Sequence, residues 1–132
     1  MTVISFTVLG TPVAQARPRA TRFGKGIRLY DTDKVRDFKS YFKLAAAEAM
    51  AGAPLLDAPL NVTLEVFVQK PKSWSAKRVY ADTKPDLDNF CKSACDAMEG
   101  VVYTNDSRIV MLTLAKMLSD QPRCEVTVRT LE

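Results

Sequence analysis

The sequence contains no histidine. This absence excludes the Ser-His-Asp and Cys-His schemes of nucleophilic catalysis and every zinc site that needs an imidazole ligand. Cysteine is scarce as well. The three cysteines, Cys91, Cys95 and Cys124, form no CxxC motif and cannot all pair, so we expect neither a disulfide partner nor a four-cysteine zinc site. The chemistry that remains uses carboxylates, lysines or hydroxyl groups and suits a metal ion that prefers oxygen ligands.

Long hydrophobic runs are also missing. No apolar stretch approaches the roughly 20 residues of a membrane-spanning helix, and residues 1–6 lack the basic and apolar regions of a secretory signal peptide. We therefore expect a cytoplasmic protein with no membrane partner. The length of 132 residues, of which 47% are hydrophobic and 26% charged, is typical of one globular domain covering 1–132.

Positive charge is concentrated in two segments, although the net charge is only +4. Residues 10–43 contain nine basic and three acidic side chains, and residues 70–84 contain five basic and one acidic side chain. The arginines at 13–30 lie in a loop with Pro18 and Gly24 rather than on an amphipathic helix, so packing does not explain them. Basic clusters bind phosphate backbones through counterion release, which favours a nucleic-acid partner. A basic surface that is only solvated is the alternative.

Hydrophobic periodicity predicts an α+β domain with a small mixed or antiparallel β-sheet and two main helices. Strands are predicted at 2–9, 60–69, 101–103, 109–118 and 124–131, helices at 33–51 and 86–98, and a short helical turn at 74–80. The last two strands are expected to form a pair joined by the turn at 119–122. A long basic loop that can hold a short hairpin at 23–26 is expected between the first strand and the first helix.

The stretch 84–92, KPDLDNFCK, is the most informative part of the chain. Because Pro85 disfavours a helical conformation at the residue before it, the helix begins near Asp86 or Asp88. Two residues apart on a completed helix, the carboxylates diverge by ~200°. They can therefore turn to one point only if Asp86 lies in the loop that enters the helix. Capping of the helix by these acids is the alternative, as is an ordinary ion pair for Lys92.

A third carboxylate, Asp106, lies in the polar turn 104–107, a composition that turn formation alone could explain. Together with Asp86 and Asp88 it forms an all-oxygen ligand set suited to Mg²⁺ or Mn²⁺. In phosphodiester cleavage such ions lower the pKa of the attacking water and stabilise charge on the leaving oxygen. Lys92, kept charged by a neighbouring acid, suits an electrostatic contact with phosphate. The sequence thus favours a metal-dependent nuclease.

Four motifs closely resemble those of the RusA-type Holliday junction resolvases. They are KPDLDN at 84–89, Lys92, DAMEG at 96–100 and NDSRI at 105–109. The opening at 6–19, FTVLGTPVAQARPR, is similar to the family's first strand, Gly-x-Pro and basic loop. The resemblance therefore covers most of the chain and is weak at 55–80.

Departures from the family pattern KPDxDN…K…DALNG…DDSQI include Asn105 and the pair Met98-Glu99. Asn105 replaces the first acid of the usual Asp pair, which removes one charge but leaves an amide oxygen. Met98-Glu99 replaces Leu-Asn, and we expect this change to be harmless because Met and Leu have similar volumes.

The resemblance implies a homodimer with one active site in each subunit, acting on four-way or other branched DNA. It implies that Asp86, Asp88 and Asp106 bind Mg²⁺ and that Lys92 supports catalysis. Because a four-way junction has two equivalent strands to cut, a two-fold dimer would present two equivalent sites to them. Basic side chains would hold the junction arms through phosphate contacts that position the DNA without specifying its sequence. The candidates are Arg17, Arg19, Arg22, Lys25, Arg28, Lys72, Lys77, Arg78 and Lys84.

Two alternatives come from other functional classes. In a non-catalytic nucleic-acid-binding module, the acids would only cap a helix and shape a turn. In a structural or inhibitory protein, the basic face would bind an acidic protein, and the chain would show no salt-sensitive affinity for DNA.

Overall fold

The computed structural model describes residues 1–15, 19–24, 26–30 and 32–131, with only the path of the backbone in 19–23 and 26–30. In chain order the elements are β1 (Val3–Leu9), β2 (Arg19–Phe23), β3 (Gly26–Tyr30), α1 (Asp33–Met50), β4 (Leu60–Gln69), α2 (Leu87–Met98), a 3₁₀ helix η1 (Asp106–Arg108), β5 (Ile109–Ser119) and β6 (Arg123–Thr130). The α+β class and the two predicted helices are confirmed.

Four strands form a mixed sheet in the order β1-β6-β4-β5. β4 lies inside the sheet because its alternating residues are apolar, and Leu60, Val62, Leu64 and Val66 are all buried. β4 runs antiparallel to β6 and parallel to β5. A parallel pair needs a long crossover connection, and here the crossover contains α2. The residues of the predicted site therefore lie in the connection between β4 and β5.

The predicted pairing of the last two strands is wrong. β5 and β6 are consecutive in the chain, but β4 lies between them in the sheet. The connection at 120–122 crosses the end of β4, where the Lys70 N–H donates to the Ser119 carbonyl (3.0 Å). Turn residues indicate that the chain reverses, but they do not determine whether it returns beside the strand it left.

Two short elements also differ from the prediction. Residues 101–103 form a turn that closes α2, in which the N–H groups of Val101 and Val102 donate to the Met98 carbonyl (3.0 and 2.8 Å). The segment 74–80 contains turns instead of a helical turn, followed by an isolated bridge between Tyr80 and Met117. The hairpin in the basic loop is confirmed, since β2 and β3 pair and Phe23 lies opposite Gly26.

Both helices pack on one face of the sheet. Phe42 on α1 is fully buried, and its ring lies edge-on to Phe6 of β1 and Phe38, with centroids 5.5 and 5.7 Å apart. The opposite face is polar: the hydroxyl groups of Ser5 and Thr127 lie 3.2 Å apart there. The helices therefore cover one face only. None of the described helices is long and apolar enough to cross a membrane.

Candidate active site

The start of α2 carries two carboxylates that the fold does not use. Asp86 precedes the helix in an extended conformation, and its backbone carbonyl accepts from the Asn89 N–H (3.1 Å). Its carboxylate makes no capping hydrogen bond. Asp88 lies in the first helical turn. Both side chains are exposed, and within the described part of the chain neither carboxylate has a hydrogen-bond or ion-pair partner. Capping by side chains therefore does not account for this acidic pair.

Lys116 fixes the loop that leads into Asp86. This half-buried lysine of β5 donates from Nζ to the backbone carbonyls of Thr83 and Pro85, the latter at 2.7 Å. Sequence reasoning missed this residue. The signal was present, because Lys116 is the one charged residue in the otherwise uncharged stretch 109–119.

The start of the basic loop is anchored on the same helix. The Gln15 N–H donates to the Asn89 carbonyl (2.8 Å), and the hydroxyl of the buried Ser93 donates to the Val13 carbonyl (2.7 Å). The chain thus enters the basic loop directly beside the first turns of α2. The predicted DNA contacts Arg17, Arg19, Arg22, Lys25 and Arg28 follow in this loop, and their side chains lie outside the described residues.

Asp106 is held against the other end of α2. The buried Tyr103 hydroxyl lies 2.9 Å from Asp106 Oδ1 and 2.8 Å from the Cys95 carbonyl, so its one hydrogen serves both acceptors. The Asp106 N–H donates to Glu99 Oε2 (3.0 Å). Burial raises the pKa of the Asp106 carboxyl; the Tyr103 hydrogen bond opposes this effect, and the Glu99 charge adds to it. Asp106 is thus a partly desolvated acid with a fixed orientation.

Glu99 and Asn105 change how this turn is built. The replacement at Glu99 was expected to be harmless, and this stays a prediction; the Glu99 carboxylate accepts a hydrogen bond from the Asp106 N–H, and its charge helps to raise the pKa of Asp106. The Asn105 side chain accepts from the Ser107 N–H (2.8 Å) and caps η1. Compared with the family pattern, this chain lacks an acid at position 105 and has an additional acid at position 99. Both residues contact the turn that contains Asp106.

The charges of Asp88 and Asp106 both act on Cys91, in the middle of α2. A hydrogen bond with Cys95 lowers the pKa of Cys91, whereas burial and the charges of Asp106 and Asp88 act in the opposite direction. The rise of ~1.5 Å per helical residue places the turn of Asp88 roughly 10 Å along the axis from Cys95. Accordingly, across residues 1–15 and 32–131 no three His, Cys, Asp or Glu side chains stand close enough to hold a metal ion together. Asp86 and Asp88 lie at the start of α2, whereas Asp106 lies in η1, and among the described residues the three carboxylates do not form a closed cage.

Lys92 is placed between these carboxylates along the helix. Its Nζ lies 3.5 Å from Asp96 Oδ2, and Lys39 Nζ of α1 lies at the same distance from that oxygen. The ordinary ion pair considered for Lys92 thus forms with Asp96 and not with Asp88. The Lys92 side chain is 63% exposed, so its ammonium group faces solvent on the side of Asp88.

The second basic segment borders the entrance to α2. Lys72, Lys77 and Lys84 are exposed, and Lys84 directly precedes Pro85. A cleft of about 220 Å³ lies between this segment and the Asp86 loop; its lining includes Trp74, Lys84, Pro85 and Lys116.

Arg78 packs its guanidinium over the Trp74 ring, 3.7 Å from the centroid, and donates to Asp82 (2.9 Å). One face of the indole is therefore covered by Arg78. Arg78 itself is still exposed.

An acidic centre bordered by basic segments is typical of proteins that act on nucleic-acid backbones. The family described as Endodeoxyribonuclease RusA matches residues 10–129, nearly the whole chain. The protein belongs to the RusA endodeoxyribonuclease family, and the resemblance of its motifs is confirmed. The chain is also similar to the Bacillus subtilis (strain 168) protein "Uncharacterized protein YqaN", with 35% identity over 139 residues that cover 98% of this chain and 97% of the relative.

The hydroxyl of Tyr103 gives a direct test of how Asp106 is positioned. In Tyr103→Phe, the Asp106 carboxylate loses its neutral donor, and we expect the free energy of unfolding to fall by about 1 kcal/mol. We expect DNA cleavage to slow about 10- to 100-fold, the range typical for loss of a group that orients a metal ligand, which is the role predicted for Asp106. Denaturant unfolding and cleavage rates measure the two effects. The control is Tyr80→Phe, since Tyr80 is 73% exposed. Equal behaviour of the two variants would refute the role of Tyr103.

Proposed function

We propose that this protein is a homodimeric, Mg²⁺-dependent endodeoxyribonuclease that resolves four-way DNA junctions by paired phosphodiester cleavage. The observation that carries the proposal is the pair of exposed carboxylates at the start of α2, Asp86 and Asp88, which have no partner among the described residues, in a member of the RusA family. Asp106, held by Tyr103 against the same helix, would supply the third carboxylate.

The donor set suits Mg²⁺, with Mn²⁺ as a substitute, because all three side chains offer carboxylate oxygens. Mg²⁺ in phosphoryl-transfer sites is usually held by one or two carboxylates together with water and substrate phosphates, so such a site needs no three-carboxylate cage in the free protein. When bound, the ion would activate water and neutralise charge on the leaving oxygen. Asp86, Asp88 and Asp106 are the residues that would hold it.

The remaining side chains would bind and orient the DNA. Lys92, whose ammonium group is exposed and lies 3.5 Å from Asp96, would contact the scissile phosphate. Phosphate contacts from two basic segments would hold the junction arms on both sides of the α2 entrance. These contacts comprise Lys72, Lys77, Arg78 and Lys84 together with Arg17, Arg19, Arg22, Lys25 and Arg28.

The dimer follows from the substrate that we propose. A four-way junction contains two symmetry-related strands, and resolution requires one cut in each. A two-fold dimer with one acidic centre per subunit offers two equivalent sites in a fixed relation, whereas a monomer would have to bind twice.

A labelled four-way junction and a linear duplex with the same sequences, each incubated with Mg²⁺ or EDTA, test the proposal. We expect Mg²⁺-dependent cuts at symmetric positions in the junction and little cleavage of the duplex. Equal cleavage of both substrates, or cleavage in EDTA, would contradict it. Salt-sensitive binding without cleavage in Mg²⁺ or Mn²⁺ would favour the non-catalytic module, and the absence of DNA affinity would favour a protein-binding role.

A further inference from the structure

The outer edge of β5 is covered along one half only. β5 is an edge strand of the sheet. Its second half is covered by the segment 79–81, since the Ala81 N–H donates to the Lys116 carbonyl (3.1 Å) and the Leu118 N–H donates to the Val79 carbonyl (2.7 Å). Along 110–114 no backbone group outside the sheet, among the residues that the structure describes, takes a corresponding position. The first half of this edge is therefore open.

The open half also exposes its largest apolar side chains. Val110, Met111 and Leu112 are 60%, 53% and 44% exposed. Because successive side chains of a strand point to opposite faces, this run leaves both faces of β5 uncovered. Natural edge strands are usually protected by charges, proline or a covering segment, and 109–115 contains neither a charge nor a proline. An open, uncharged, apolar edge is a template for pairing with another strand.

The other edge strand, β1, also lacks charge and proline, and its Val3 and Leu9 are 53% and 80% exposed, but only one of its faces is uncovered. In β1 exposed residues alternate with partly or fully buried ones, because α1 packs against one face of the strand. The exposed face of β1 includes the polar residues Ser5 and Thr7. Of the two edge strands, only β5 exposes consecutive apolar side chains on both faces.

We propose that residues 110–114 pair in the antiparallel sense with the same residues of a second copy of this chain, with the two-fold axis at Leu112. The proposal rests on the proposed function in one respect, because it identifies the interface of the proposed homodimer. Lys116 and Leu118 direct backbone groups outward, and by the two-residue alternation of a strand so do Leu112 and Leu114. Leu112 then lies opposite itself, Val110 lies opposite the partner's Leu114, and two four-stranded sheets become one.

Charge favours a second copy over DNA as the occupant of this edge. The segment 109–115 offers no cation to a phosphate, and no like charges meet across the axis within it. The flanking cations are already engaged: Arg108 pairs with Asp57 at 2.9 Å, and Lys116 donates to the Pro85 carbonyl at 2.7 Å. The basic segments of each subunit thus stay available for DNA while the apolar edges pair.

A charge substitution tests this interface. In Met111→Lys, two lysines would lie diagonally across the axis on one face of the sheet, where like charges oppose pairing. We expect the wild type to sediment as a dimer and Met111→Lys as a monomer. Val3→Lys is the matched control, because Val3 is also 53% exposed and lies on the opposite edge strand; we expect it to remain dimeric. Circular dichroism checks that both variants are folded.

Cross-linking tests the register independently. In the proposed pairing, two copies of residue 112 form a hydrogen-bonded pair with Cα atoms about 5.5 Å apart, a spacing that allows a disulfide. We therefore expect Leu112→Cys to form a covalent dimer under mild oxidation, well above the background of the wild type and of Val3→Cys. A monomeric wild type, a dimeric Met111→Lys, or no cross-link above background in Leu112→Cys would overturn the proposal. Neither experiment uses DNA or metal, so the proposed interface can be tested independently of the result of the nuclease assay.

Discussion

Asp88→Asn is expected to reduce the rate of junction cleavage at least about 100-fold while binding to the junction is retained. Loss of a group that only orients a metal ligand lowers activity about 10- to 100-fold, so loss of a ligand should reach at least the upper value. The amide preserves the size of the side chain and removes its charge. Because the Asp88 carboxylate has no side-chain partner within residues 32–131 and interacts only with the dipole of α2, we expect the free energy of unfolding to fall by no more than about 1 kcal/mol.

A gel shift and a nicking assay on one synthetic junction separate binding from cleavage. Removal of a negative charge near phosphate should leave the affinity unchanged or slightly increased. Asp120→Asn provides the control, since Asp120 is an exposed acid in the β5–β6 connection and its substitution removes the same charge. We expect its cleavage rate to stay at the wild-type level. Retained nicking together with lost binding in Asp88→Asn would show that Asp88 contacts DNA without serving catalysis.

The elements with strong local periodicity could be predicted from the sequence. The apolar residues of α1 recur at helical spacing, and Val35, Phe38, Phe42 and Ala46 are all buried as that spacing requires. β4 alternates strictly and lies inside the sheet. The neighbours of β5 and β6 could not be predicted, because local turn signals do not encode which strand lies beside which.

The short segment at 101–103 shows how tertiary contacts override local preference. Two valines and a tyrosine favour a strand, but the backbone closes α2 and the Tyr103 ring is fully buried. Its hydroxyl then reaches both Cys95 and Asp106. A hydrogen bond of this kind depends on the path of the folded chain and has no periodic signature.

In the candidate site, too, local features could be predicted from the sequence and long-range contacts could not. Asp86 in the entering loop and Asp88 in the first turn follow from the position of Pro85, as predicted. The contacts that fix the site were not predictable, because Lys116 reaches the Pro85 carbonyl across 31 positions of the chain. The contact between Glu99 and the Asp106 N–H was not predictable either, because side-chain volumes do not indicate which backbone group a carboxylate will contact.

Asp106→Asn is expected to abolish at least about 99% of the cleavage activity. In the absence of metal, the same substitution is expected to stabilise the folded protein at neutral pH. Burial and the nearby Glu99 charge raise the pKa of Asp106 above its usual value of 3.8 in the folded state. The folded state therefore binds this proton more tightly than the unfolded state, so ionised Asp106 lowers stability at neutral pH. An asparagine can still accept from Tyr103 and can donate to Glu99, which replaces repulsion by a hydrogen bond.

The sign of the pH dependence separates this effect from a general change in packing. A raised carboxyl pKa lowers stability above the folded pKa, and the penalty disappears as the pH falls towards 3.8. The advantage of Asp106→Asn over the wild type should accordingly be largest at neutral pH and shrink on acidification. Denaturant unfolding without metal across this range measures it, with Asp120→Asn as the control that removes an exposed charge. If Asp106→Asn is less stable than the wild type at neutral pH, the Asp106 carboxylate supports the fold. That result would contradict the idea that the protein keeps this partly desolvated carboxylate for function at a cost in stability.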